Sequence, residues 1–142
     1  METSSGLSLF LDSPLGKTLL VGCGGFLGAN ARYWIGGAIS NRAGAGFPWG
    51  TFVINVTGSF LIGLIMASIL GFNWGRPWQL LLVIGILGGY TTFSSFSYES
   101  INLILGRSYL YATYYIFGSV ILSLVGTMLG VIAARLLGAR EI

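Results

Sequence analysis

The distribution of charged residues constrains this chain more than any other feature of its sequence. Only 8% of the 142 residues are charged, whereas a soluble domain has about 25%. A helix that crosses a bilayer needs about 20 mainly apolar residues. The intervals that are long and almost free of charge are 18–40, where Arg32 is the exception, 43–75, 77–98 and 108–134. The sequence therefore predicts an all-α integral membrane protein with four transmembrane helices.

Short loops separate these spans, at residues 41–48, 73–77 and 102–107. Connections of this length favour consecutive helices that pack antiparallel as hairpins. The chain is thus divided into a polar extension that we expect to be poorly ordered, a membrane domain and a tail, at residues 1–14, 15–137 and 138–142.

Several function classes are excluded by the residues that the chain lacks. It has no His, a single Cys at position 23 and four acidic residues, so neither a His/Cys zinc site nor a Ser-His-Asp triad can be assembled. We therefore expect no enzymatic activity. The seven basic residues are spread along the chain, which argues against a nucleic-acid partner.

Glycine supplies 23 residues, and three glycine pairs inside the spans have four-residue spacing. Such pairs allow two helix backbones to approach closely. The pairs are Gly24 with Gly28, Gly85 with Gly89, and Gly126 with Gly130. They predict tightly packed interfaces between spans.

Polar side chains form a stripe along three of the four spans. In the second span Thr51, Asn55 and Ser59 recur at every fourth residue and share one helix face. The fourth span repeats this spacing, and the third concentrates hydroxyls around two phenylalanines. The residues are Tyr115, Ser119, Ser123 and Thr127 in the fourth span, and Thr91, Thr92, Ser94, Ser95 and Ser97 around Phe93 and Phe96 in the third.

Two interpretations of these stripes are open at this point. Each hydroxyl could bond a neighbouring helix or its own backbone. Alternatively, the stripes could line a wet pathway, which is the other usual place for polar groups inside a bilayer. The hydroxyls, the Asn55 amide and Arg32 all offer hydrogen-bond donors, and no carboxylate lies in the middle of a span. If a pathway exists, these donors therefore favour an anion.

The third span contains two further features with two interpretations each. Glu99, at its end, is either an interfacial residue paired with an arginine such as Arg107 or part of a gate. The rings of Phe93 and Phe96 are either core packing or, through their positive edges, contacts for an anion.

Three motifs follow one another along residues 15–137. They are GGFLGANARY at 24–33, WGTFVIN at 49–55 followed by Gly58, and GGYTTFSSFSYE at 88–99. Together they resemble the CrcB/Fluc family of fluoride channels. One difference is Ser95, which stands where the family usually shows Thr, although the hydroxyl is retained.

The resemblance implies a channel that exports fluoride passively down its electrochemical gradient. It implies a dual-topology homodimer in a bacterial-type plasma (inner) membrane, with two four-helix subunits inserted antiparallel in the lipid bilayer and two pores. It also implies that the backbone carbonyls of Gly88 and Thr91 hold a structural sodium ion at the dimer interface. With the polar stripes, it predicts a fluoride pathway of Arg32, Thr51, Asn55, Phe93, Phe96, Glu99, Tyr115, Ser119 and Ser123.

Two other functions are weighed against this interpretation. A small four-helix multidrug-type exporter has a similar length, but it needs a membrane-embedded carboxylate in the first span, where this chain has Arg32. A non-transporting membrane scaffold would explain the glycine pairs and would give no ion flux in liposomes.

The third span is predicted to break between Gly88 and Thr92. Gly88 and Gly89 have poor helix propensity, and two β-branched residues, Thr91 and Thr92, follow them. The alternative is a bent but continuous helix.

The charge of the loops predicts how the chain inserts. Because the positive-inside bias sets orientation, a small difference between the two sides predicts insertion both ways. The basic residues are Lys17, Arg76, Arg135 and Arg140 on one side, and Arg42 and Arg107 on the other, with Arg32 if it reaches the interface.

Overall fold

The computed structural model describes residues 6–44 and 46–139, and every regular element in these ranges is helical. The prediction of an all-α protein is therefore confirmed for this part of the chain. The elements are α1 Gly6–Asp12, α2 Pro14–Ala43, α3 Trp49–Phe72, α4 Arg76–Trp78, a π-helix Gln79–Leu87, α5 Gly88–Tyr90, α6 Phe93–Leu105 and α7 Tyr109–Leu136.

Three segments are long and apolar enough to cross a membrane, namely α3, the third span Arg76–Leu105 and α7. They make this an integral membrane protein. The first long helix, α2, has 30 residues, but it is not among these three. Asn30, Arg32 and several glycines lower its mean hydropathy.

The N-terminal extension differs from the expectation. Residues 6–12 form helix α1, so the prediction of poor order is wrong for them, while residues 1–5 lie outside the described part. Ser13 explains the boundary, because its side chain accepts a hydrogen bond from the Gly16 N–H at 3.1 Å and Pro14 occupies the first turn of α2. In the tail, Ala139 packs on Ala67 and Ala134, and Arg140 is not described.

The loops are shorter than predicted, because helices continue into them. Helix α2 extends to Ala43 and α6 to Leu105, which converts Asn102 from a loop residue into a helical one. Two turns contain a residue in the left-handed region, Asn73 with φ 54° and Arg107 with φ 58°. Asn is one of the few residues that adopts this conformation readily at a helix C-terminus.

The helix pairing differs from simple hairpins. Helix α2 packs mainly on the π-helix and α5, and α3 packs mainly on α7. Consecutive helices do meet near their loop, where a Cβ on Gly50 would contact the Gly36 carbonyl oxygen at 2.6 Å. The dominant interfaces nevertheless join α2 to the π-helix and α5, and α3 to α7.

Glycines explain this pairing. A Cβ added to Gly24 would lie 2.8 Å from the Gly85 Cα, and one added to Gly130 would lie 2.7 Å from the Leu64 N. Both distances are too short for a real Cβ, so the predicted close packing at the glycine pairs is confirmed. Gly24 meets Leu81 whereas Gly28 meets Tyr90, and Gly126 meets Val56 whereas Gly130 meets Leu64. Residue numbers therefore rise together along both interfaces, and the helices of each pair run parallel.

Candidate functional site

The third span breaks at Thr91 and Thr92, which are both extended, with φ −80° and ψ 158° for Thr91 and φ −151° and ψ 120° for Thr92. The predicted break is therefore confirmed. The break does not lie at the glycines themselves, since Gly88 and Gly89 remain helical in α5. Their packing overrides their poor propensity, because Gly89 lies against the Gly25 backbone of α2.

Side chains replace the backbone hydrogen bonds that the break removes. The Asn55 amide on α3 donates to the Thr92 carbonyl oxygen at 3.0 Å, and the Thr92 N–H donates to Asn55 Oδ1 at 2.9 Å. The Ser95 N–H donates to Thr92 Oγ1 at 3.2 Å. In a continuous helix these two N–H groups would donate to the Gly88 and Thr91 carbonyls, four residues earlier. Both carbonyls thus lose their helical donors to side chains.

A cavity of about 300 Å³ lies beside the break, between α3, α7 and the start of α6. Its lining combines hydrogen-bonding side chains, rings and aliphatic groups, and it includes no carboxylate among the described residues. The hydrogen-bonding and aromatic residues are Asn55, Ser59, Thr91, Thr92, Ser119, Ser123, Phe93 and Phe96.

One buried polar group in this cavity has no partner within the described chain. The Ser119 hydroxyl is buried and makes no hydrogen bond, and the residue is only 4% exposed. A buried polar group normally finds a partner. This hydroxyl is therefore available to donate to whatever occupies the cavity.

The two phenylalanines of the third span lie in different environments. Phe93 is 79% exposed on the single chain, whereas Phe96 is half-buried. Their ring centroids are 5.7 Å apart, and the Phe96 ring is 5.3 Å from that of Tyr115. The predicted aromatic pair therefore borders the cavity and continues into α7.

Glu99 connects three helices through hydroxyl groups. Thr51 Oγ1 of α3 donates to its Oε1 at 2.8 Å, and the Tyr115 hydroxyl of α7 donates to its Oε2 at 2.5 Å. Tyr115 is completely buried, at 0% exposed. Among the described residues, Glu99 is thus bonded to hydroxyls and forms no pair with Arg107, which removes the interfacial ion-pair interpretation.

A second, wider cavity of about 550 Å³ lies on the other side of the break, between α2, α3 and α6. Arg32, Ser40, Thr51 and Ser95 line it, and Thr92 lines both cavities. The break is therefore the wall that the two cavities share.

The nine residues predicted from the sequence are divided among these places. Asn55, Phe93, Phe96, Ser119 and Ser123 line the first cavity, and Arg32 and Thr51 line the second. Tyr115 and Glu99 line neither, and they form the hydrogen-bonded link behind Phe96.

One central residue of the site, Thr92, is missing from the predicted pathway. Thr92 is bonded to Asn55, caps α6 and lines both cavities. The sequence feature that could have identified Thr92 is the pair of consecutive β-branched residues that follows a glycine pair. The second residue of the pair is placed to cap the following helix.

The chemistry of the site favours an anion that has lost its water. Hydroxyls, one amide and ring edges offer partial positive charge, and the two cavities include Arg32 but no carboxylate among the described residues. No group of three or more His, Cys, Asp or Glu that could hold a metal ion occurs in residues 6–44 and 46–139.

Comparison with known proteins places this site in a family. The family model described as CrcB-like protein, Camphor Resistance (CrcB), matches residues 19–131. That range contains every residue that lines the two cavities. It excludes α1 and the first residues of α2.

Curated relatives are similar over most of their length. The fluoride-specific ion channel FluC 2 of Clostridium acetobutylicum is 44% identical over 117 residues, which are 82% of this chain and 97% of that protein. The fluoride-specific ion channel FluC of Geobacter sulfurreducens is 46% identical over 112 residues, or 78% and 90%. That of Thermus thermophilus is 46% identical over 114 residues, or 80% and 91%.

Proposed function

This chain belongs to the CrcB-like protein family, and on that premise we propose that it is a fluoride-specific ion channel. The single observation that carries the proposal is the cavity beside the break. It brings the unpartnered Ser119 hydroxyl together with Asn55, Phe93 and Phe96 and includes no carboxylate among the described residues.

The physics of fluoride fits this lining. A selective pore must replace the water around its ion with protein groups, and must bind weakly enough for the ion to leave. Fluoride is small and tightly hydrated, so it needs a donor at each step. Hydroxyls spaced one helical turn apart, as Ser119 and Ser123 are, provide such steps.

We propose a route with three parts. Arg32 attracts the ion into the wider cavity, which Thr51 also lines. Asn55 and Thr92 form the constriction at the break, and the lining of the narrower cavity conducts the ion onward. Tyr115 and Glu99 hold the Phe96 ring from behind. The conducting residues of the narrower cavity are Phe93, Phe96, Ser119 and Ser123.

Transport through this route is passive. Thr51 and Tyr115 already donate to the Glu99 carboxylate, so this group is engaged in helix contacts and is not placed to exchange protons for substrate. A negative-inside membrane potential then drives an anion outward. This chemistry belongs to a channel of a bacterial inner membrane rather than to an enzyme.

The functional unit in this proposal is an antiparallel, dual-topology homodimer in the lipid bilayer. It has four spans per subunit, with α2 as the first, and two pores; residues 15–137 form the channel domain, 1–14 an extension and 138–142 a tail. The 79% exposure of Phe93 supports a second subunit that completes the lining. Reporter fusions at the C-terminus should report both membrane orientations, and a single orientation would contradict the dual topology.

We also propose a structural sodium ion at the dimer interface, held by the Gly88 and Thr91 carbonyls. Unwound carbonyls are sodium ligands in transporters, and these two lose their helical donors to Asn55 and Thr92. Replacing sodium with a large organic cation should shift purified dimer toward monomer. An unchanged dimer fraction would argue against the ion.

The test of function is fluoride release from proteoliposomes that contain potassium fluoride. A potassium ionophore should start release when it removes the opposing potential, and a fluoride electrode measures it, with chloride-loaded vesicles as the comparison. We expect fast fluoride release and little chloride release. No release above that of protein-free vesicles would contradict the channel and favour a scaffold, and release that needs a proton gradient would favour an exporter.

A further inference from the structure

Helix α1 lies outside the segment that the family model matches, which begins at residue 19. Its exposed side chains are mainly apolar: Leu7 is 66% exposed, Leu9 63% and Phe10 43%. At about 100° per residue, Leu7 and Phe10 share one face, and Asp12 lies about 140° from Leu7 on the opposite side. Leu9 lies on the Asp12 side of the helix, so the Leu7 and Phe10 face is the apolar side that lies opposite the carboxylate. The greater part of this face is unpartnered by the described chain.

The corner between α1 and α2 fixes the direction of α1. Ser13 donates both its N–H and its hydroxyl to the Phe10 carbonyl oxygen, at 3.0 and 2.6 Å. Ser13 Oγ also accepts from the Gly16 N–H. Gly16 is required at this point, because a Cβ would collide with the Phe10 carbonyl oxygen. These hydrogen bonds and this close contact thus hold α1 in a fixed direction at the start of α2, so the corner between the two helices is not a flexible link.

The position of this corner corresponds to a membrane surface. Helix α2 has 30 residues and spans about 45 Å, which exceeds the roughly 30 Å of hydrocarbon. Its ends therefore reach the headgroup layers. Gly50 meets Ser40, and Gly36 meets Ile54; residue numbers fall along α2 as they rise along α3, so these two helices run antiparallel. The turn with exposed Trp74 and Trp78 lies at the same end as α1, and tryptophan at helix ends marks the interface.

We propose that Gly6–Asp12 is an interfacial anchor whose Leu7 and Phe10 face inserts into the headgroup and acyl-chain boundary of the lipid bilayer. Its occupant is lipid, because α1 is joined by a fixed corner to a helix that ends at that boundary. The described anchor carries one ionisable side chain, Asp12, and no basic one. Insertion therefore depends on apolar burial rather than on attraction of basic side chains in this segment to anionic lipid.

The test measures depth in the full-length protein in proteoliposomes. The native thiol is first removed as Cys23→Ala, since Cys23 is exposed. A nitroxide is then attached in the Leu7→Cys variant and, as a matched control one and a half turns away, in Asp12→Cys. Collision with oxygen, which concentrates in lipid, is compared with collision with a water-soluble nickel complex present on both sides of the membrane.

We expect the residue 7 label to lie about 5–10 Å below the headgroup phosphates, and the residue 12 label to be accessible to nickel. Adding Phe10→Ser should move the residue 7 label toward water. Equal nickel accessibility of the two labels would overturn the anchor. So would a residue 7 label protected from both reagents and broadened by a neighbouring spin, which would assign this face to a second copy of the chain. Neither result depends on fluoride transport.

Discussion

Replacing Asn55 with alanine tests the contact that joins the second span to the break in the third. The change removes two hydrogen bonds to the Thr92 backbone, of 3.0 and 2.9 Å. Hydrogen bonds between helices in a membrane contribute about 0.6–1.5 kcal/mol each. The Thr92 N–H can return to the Gly88 carbonyl, its acceptor in a continuous helix, which recovers part of the loss. We expect the free energy of unfolding to fall by about 1–3 kcal/mol.

The assay is denaturant unfolding of the purified protein in detergent, followed by tryptophan fluorescence, beside fluoride release from proteoliposomes. Ser68→Ala is the matched control, because the buried Ser68 hydroxyl of the same helix donates to its own Leu64 carbonyl at 2.8 Å. The control removes one hydrogen bond within a single helix, from a hydroxyl that shares its acceptor with the helix backbone, so it should lower the free energy of unfolding by less than about 1 kcal/mol. Fluoride release should fall at least tenfold in Asn55→Ala and stay unchanged in the control.

A second substitution separates structure from conduction. Asn55→Asp keeps an acceptor for the Thr92 N–H but places a negative charge beside the anion route, so release should fall further than stability does. If Asn55→Ala unfolds within about 0.5 kcal/mol of the unchanged protein and conducts normally, the Asn55 contact neither stabilises the break nor lines the route.

Three further predictions concern the rings, the carboxylate and the glycine interface. Phe96→Ile keeps much of the side-chain volume but removes the ring edge beside the cavity. Fluoride release should therefore fall at least tenfold, while the free energy of unfolding falls by only about 0.5–1.5 kcal/mol. Unchanged release would show that this ring only packs. Glu99→Gln leaves one of the two hydroxyls facing an amide nitrogen, so the free energy of unfolding should fall by about 1.5–3 kcal/mol. An unaltered unfolding curve would show that the carboxylate charge is dispensable for stability. Gly28→Val would collide with the Ile86 carbonyl oxygen, so it should lower the free energy of unfolding by about 1–3 kcal/mol and reduce the yield of monodisperse protein. The control Gly22→Ala adds a Cβ that meets nothing within 4 Å and should match the unchanged protein. Equal yields of the two variants would contradict the close interface.

Local features of the sequence were sufficient for much of the fold. Three of the four long intervals with little charge correspond to helical segments that are long and apolar enough to cross a membrane, because a membrane-spanning helix needs about 20 mainly apolar residues. The two glycines and two threonines at 88–92 placed the break, since helix propensity is a property of neighbouring residues. The polar stripes also contain six of the residues that line the cavity at the break.

Features that depend on distant residues could not be predicted in the same way. Short loops favoured pairs of consecutive helices, but the dominant contacts join α2 to the π-helix and α5, and α3 to α7. These contacts depend on glycines that are far apart in the sequence, so no local pattern predicts which helices they bring together. The partner of Glu99 was uncertain because Thr51 is 48 residues away along the chain and Tyr115 is 16 residues away. Nothing local distinguishes such hydroxyls from an arginine in the next loop.

The sequence by itself determined the membrane environment, the helical class, the position of the break and the donor-rich chemistry of the polar stripes. Only the tertiary structure decided that Asn55 accepts a hydrogen bond from the N–H of Thr92, 37 residues away, and that Thr92 lies between two cavities and lines both. The physical reason is that composition and helix propensity act over a few residues, whereas a hydrogen bond between spans depends on how the helices are packed.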